Sequence, residues 1–84
     1  MRGNPIARSW VVMMHNGVQA VDWGGGTYLD ILTGQFFKAA EKDVSHRALD
    51  SDLDWLKRIG RIEDYDINNV VLTILPNLNT IESE

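Results

Sequence analysis

The stretch Ser9–Trp23, SWVVMMHNGVQAVDW, decides the fold. Asn16-Gly17 divides two runs that read as strands, Ser9–Met14 and Val18–Trp23. Asn-Gly suits a two-residue type I′ turn, because both central residues of that turn need positive φ. The spacing therefore predicts a hairpin with a definite register: His15 opposite Val18, Met14 opposite Gln19, Val12 opposite Val21 and Trp10 opposite Trp23. The first run is apolar on both sides, with Trp10, Val12 and Met14 on one face and Val11 and Met13 on the other. Such a strand is expected in the interior, covered on both faces or closed into a small barrel.

Working outward, residues 1–8 (MRGNPIAR) read as an extended lead-in, since Pro5 blocks a helix and holds Asn4 extended. Gly24-Gly25-Gly26 breaks the strand pattern and predicts a wide turn into a third strand, Thr27–Asp30. Leu32-Thr33-Gly34-Gln35 signals a second hairpin, with Gly34 placed for a left-handed bulge after a type I turn. The fourth strand, Gln35–Ala39, sets Phe36 and Phe37 on opposite faces. One belongs to the core and the other needs a cover.

Residues 40–50 are polar and carry no clear period. The helix signal follows them. Ser51 reads as the N-cap, Asp54 as its box partner, and Asp52 adds negative charge to the first turn; the alternative is a start near Val44, which would lengthen the helix to about four turns. Leu53, Leu56 and Ile59 form one stripe with Trp55 beside it, and Gly60 is a natural stop. The last strand is expected over Val70–Leu75, ended by Pro76. Residues 1–76 thus read as one α+β domain: a small, mostly antiparallel sheet of four to five strands with one helix packed on it. The alternative is a small open β-barrel with one helix, closed by the last strand. Residues 77–84 read as a flexible acidic tail.

Composition narrows the function classes. Within 84 residues, 44% are apolar and 24% charged, which is enough for a core and ordinary for a soluble domain. The chain has no cysteine, so no disulfide or thiolate-zinc framework staples it, and a reducing, cytoplasmic setting is expected. The opening residues carry no secretory pattern, and no apolar run approaches a membrane span. Net charge is −4, and the eight basic side chains are scattered except for Lys57, Arg58 and Arg61 at the expected helix end. Neither nucleic acid nor a membrane is therefore an expected partner.

Catalytic and ligand motifs are weak throughout. Asp50, Asp52 and Asp54 imitate the opening of a calcium loop, but Trp55 and Arg61 stand where its glycine and glutamate belong. The three glycines lack the Gly-Lys-Ser/Thr ending of a phosphate loop. His15 and His46 show no metal-binding spacing, and no serine lies in a G-x-S-x-G context. No catalytic residue, metal or cofactor is expected. What remains is a surplus of aromatic side chains of the kind enriched at protein interfaces: Trp10, Trp23, Phe36, Phe37 and Trp55. They predict a small module that binds another protein, a second copy of itself included, as an adaptor, assembly factor or inhibitor. The competing expectation is a small enzyme or ligand-binding subunit whose site forms across a dimer from His15, Asp22, Tyr28 and His46.

Overall fold

The structure, a computed structural model, describes residues 4–73. Eight strands and one helix follow in the order β1 (Asn4–Ala7), β2 (Val11–Met14), β3 (Gln19–Gly24), β4 (Thr27–Asp30), β5 (Phe36–Lys38), β6 (Val44–Arg47), α1 (Asp50–Arg58), β7 (Ile62–Tyr65) and β8 (Asn69–Leu72). The strands form two antiparallel sheets, one of five strands in the order β5-β4-β3-β2-β6 and one of three in the order β1-β8-β7. The fold is α+β, as the sequence predicts, but the expected single sheet is split. The last strand does not close a barrel; β8 pairs with β1 and β7 in the second sheet. The end of the strand expected over Val70–Leu75 and the tail expected over 77–84 lie outside the described residues.

The first hairpin forms at the expected place with a different turn. Its register pairs Val11 with Val21, Val12 with Ala20 and Met13 with Gln19, one residue away from the register predicted for a two-residue turn. The loop is His15-Asn16-Gly17: Gly17 N–H donates to the Met14 carbonyl at 2.9 Å, and only Gly17 has positive φ (+92°). Asn16 instead turns its Oδ1 back to accept the Val18 N–H at 3.0 Å. Packing explains the choice. The predicted register would have set Val11, fully buried, opposite the carboxylate of Asp22, whereas the observed one sets Val11 opposite Val21 and Val12 opposite Ala20. The tight two-residue turn occurs at Gly25-Gly26, where the sequence suggests a wide one, with φ of +63° and +81° at its two central glycines. Gly34, at φ +78°, takes the bulge position expected of it.

Two apolar clusters flank the five-stranded sheet. On one face Val11, Val21, Leu29 and Ile31 pack with Leu53 and Leu56 of α1 and with Ile6, Ile62, Val70 and Leu72 of the second sheet. On the other face Val12, Met14, Ala20 and Tyr28 cluster with Val18, Phe37, Ala39 and Val44. Among the described residues no helix covers this second face. It is covered by curvature, and chain length requires that curvature. The edge strands β5 and β6 are joined by Ala39–Asp43 alone. Four strand spacings on a flat sheet measure ~19 Å. The connection includes a 3-10 turn at Glu41–Asp43 and so reaches only ~16 Å. The sheet therefore bends, and its edges approach without pairing. The strap is tied down at both ends, by Ala39 N–H to the Gly26 carbonyl (3.0 Å) and His15 N–H to the Asp43 carbonyl (2.9 Å).

Residues 8–10, expected as the end of the lead-in and the start of the first strand, form a 3-10 turn between β1 and β2. That break lets the chain change sheets. Arg8 then pins the two sheets and the helix together: its N–H donates to Asn68 O (2.8 Å), its guanidinium donates to Asp66 O (3.2 Å) and pairs with Asp50, and it lies over the Tyr65 ring. The helix begins at Asp50 rather than after Ser51, and not near Val44, which lies in β6 paired with Met14. Asp52 accepts the Leu49 N–H at 2.9 Å and so does the work expected of Asp54. At its end, Gly60 N–H donates to Lys57 O and Arg61 N–H to Leu56 O, the paired bonds of a glycine-terminated helix. Leu53 and Leu56 are fully buried, but Ile59 is exposed at the C-cap.

Two stability predictions follow from local chemistry. Gln19 is buried, and its Oε1 has no hydrogen-bond partner among the described residues. Gln19→Met should raise the unfolding free energy by about 1 kcal/mol in urea melts, because it removes an unpaired acceptor at nearly constant volume. The Asp66 carboxylate accepts the N–H groups of Asn68 and Asn69, and these bonds hold its pKa below the usual value. Its contribution is full above the unfolded-state pKa of about 4 and is lost as pH falls through the lower folded value. The thermal midpoint should therefore fall more steeply below about pH 4 in the native chain than in Asp66→Asn.

Candidate functional site

The five aromatic residues singled out by the sequence fall into three environments. Phe36 and Phe37 do lie on opposite faces of β5, but neither faces outward freely: Phe36 packs on the helix-side cluster and Phe37 on the strap-side cluster. Both are half-buried. Phe37 stacks on Tyr28 with centroids 5.8 Å apart. The expectation that one of them needs an external cover is corrected by the curl, which gives each face its own cluster. Trp55 is exposed on α1, away from the others. Trp10 and Trp23 are the pair the structure brings together.

They meet by a route different from the predicted one. Trp10 sits in the 3-10 turn ahead of β2, so it is not a ladder partner of Trp23. In β3 the register shifts between Asp22, opposite Tyr28, and Gly24, opposite Thr27, leaving Trp23 as an extra residue without a partner. A bulge of this kind re-aims its side chain. The Asp22 Oδ1 stabilises it by accepting the Gly24 N–H at 3.0 Å. Trp10, Asp22, Trp23 and Gly24 together line a surface groove of about 480 Å³. Trp10 is 49% exposed and Trp23 37% exposed. The Trp23 ring rests edge-on against Phe36, centroids 5.2 Å apart at 75°, so one wall of the groove is braced by a core residue.

Among the described residues, Asp22 is the charged side chain that lines this groove. Burial, and then the charges of Asp22, Glu41 and Asp43, push the Tyr28 phenol above its ordinary value. The sequence passed over Asp22 and Gly24 as groove residues. The available signal was Asp22-Trp23-Gly24 directly before a glycine turn, a composition suited to a bulge.

Within one chain the residues of the competing reading, whose site would form across a dimer, lie at separate places. Asp22 and Tyr28 are direct cross-strand neighbours, His15 lies in the β2–β3 turn, and His46 pairs with Met13 on the sheet edge. His46 has other company: Ser45 Oγ lies 3.0 Å from its Nδ1, and Asp52 Oδ2 lies 3.6 Å from its Nε2. All three belong to the exposed junction of β6 with α1, and Asp52 is already committed to the helix N-cap. A second cleft, lined by Arg8, Ser9, Arg47, Ala48, Ile67 and Asn68, holds an arginine already paired with Asp50. Among the described residues no group of three or more histidine or acidic side chains is placed to hold a metal ion, and no helix is long and apolar enough to cross a membrane. Comparison with protein-family models, curated proteins and solved structures finds no match to this chain.

The chain has two tyrosines, and both phenols are shifted upward, Tyr65 mainly because it donates to Asp54. An ultraviolet titration of the folded protein should show the phenols less than half ionised at pH 10, and Tyr65→Phe should remove about half of the phenolate signal gained above it. Raised phenol values stabilise the fold below about pH 10, and that contribution is lost as pH climbs through the folded values.

Proposed function

We propose that this protein is a cytoplasmic docking module, an adaptor, assembly factor or inhibitor, that engages a partner protein at the Trp10–Trp23 groove. The observation that carries the reading is the exposure of two neighbouring tryptophans along one groove, braced from beneath by Phe36. Tryptophan is the side chain most enriched among the residues that dominate binding energy at interfaces, and a braced ring loses little freedom on binding. The fold also protects its other binding-prone elements. The edge strands β5 and β6 are short and carry Lys38, His46 and Arg47, a pattern that opposes strand addition. Trp55 stands alone on its helix and serves as an internal comparison.

The test compares proteins retained from native lysate by the full chain, by Trp10→Ala/Trp23→Ala and by Trp55→Ala. A partner bound stoichiometrically by the full chain and by Trp55→Ala, and lost by the double variant, is the expected result. Because both groove tryptophans are substantially exposed, the double variant should keep its circular dichroism spectrum and lose no more than about 2 kcal/mol of stability. Equal retention by all three proteins, or retention by none, removes the reading.

A further inference from the structure

Resting on that reading, we infer that the groove receives a cationic side chain, a lysine or arginine on an extended segment of the partner protein. Three features of the groove choose the charge of its occupant. Two indoles line it, and an aromatic face attracts a cation through its ring quadrupole. Asp22 contributes the carboxylate, with Oδ1 held by the Gly24 N–H and Oδ2 making no hydrogen bond among the described residues. Among the described residues no basic side chain lines the groove, in a chain whose net charge is −4.

The decisive comparison is between a cationic and an apolar occupant. A leucine or phenylalanine seated between the indoles would gain contact area but would strip water from Asp22 and leave its charge unpaired. A lysine or arginine lays its aliphatic stem along the same rings and brings its head to the carboxylate. The surroundings act in the same direction. The chain carries a net charge of −4, so its overall field favours a basic partner over an acidic one. An acidic partner segment would be repelled on arrival, and a basic one drawn in. Gly24 leaves the groove floor open, for a side chain built there would meet nothing within 4 Å.

The inference is tested with the full chain and four capped tripeptides, Gly-X-Gly, in which X is lysine, trimethyllysine, arginine or norleucine. Binding is followed by the three indole N–H resonances, assigned through single Trp→Phe variants. The cationic peptides should move the Trp10 and Trp23 resonances saturably and leave that of Trp55 in place. Norleucine, with a similar stem and no charge, should bind at least about tenfold more weakly. Asp22→Asn keeps an oxygen for the Gly24 N–H and so keeps the bulge, but it should weaken the cationic peptides about tenfold and leave norleucine unchanged. Norleucine binding as tightly as lysine would overturn the cation assignment while leaving the groove as a docking site. Silence of Trp10 and Trp23 toward every peptide, with lysate capture still dependent on them, would also overturn it. If capture too is indifferent to the tryptophans, the docking reading falls with it.

Discussion

A strand that is apolar on both faces needs two covers, and β2 is such a strand. Val11 packs toward the helix, and Val12 and Met14 pack toward the strap. Among the described residues there is one nine-residue helix to supply a cover. It takes one face, together with the three-stranded sheet. Among those residues the other face has no second layer, so the sheet supplies its own by bending, with the Ala39–Asp43 strap drawing the edges toward each other. The rest of the architecture follows from these two solutions to one problem. Each places apolar area out of water at about 25 cal/mol per Å², and neither requires a larger protein.

The groove is a by-product of the same geometry. A curled sheet must shed regularity somewhere, and bulges are the usual place. The register shift at Trp23 is one and the shift beside Met14 is another. At Trp23 the irregularity releases a large aromatic side chain from the ladder and leaves it leaning on Phe36. The 3-10 turn that carries the chain from one sheet to the other delivers Trp10 beside it. A surface feature is thus produced by two departures from ideal strand geometry, each of which has a structural reason of its own.

Much of this was legible in the residues, and what was not has identifiable causes. The hairpin, the third and fourth strands, the opposed phenylalanines and the glycine-ended helix all rest on local chemistry, which a sequence displays. Turn type at Asn16-Gly17 was misread because tertiary packing, the need to keep Asp22 away from Val11, outweighed the preference of the dipeptide. The strand Val44–Arg47 was invisible because a short edge strand facing solvent has no hydrophobic alternation to show. Ile62–Tyr65 failed for the same reason, with only Ile62 fully buried. The tryptophan pair was recognised by residue type, but its meeting place depends on a bulge and a change of sheet, both of which are long-range events.

The strap has a consequence for how the gene can vary. Surface loops ordinarily gain and lose residues with little effect, and lineages diverge there first. Here the loop between β5 and β6 behaves as a gauge: its length sets the radius of the sheet, and the radius sets the volume left for Met14, Tyr28 and Phe37. A codon deleted from it would tighten that radius, and one added would loosen the packing beneath. The most variable-looking segment of the molecule is therefore the one whose length is least free to drift.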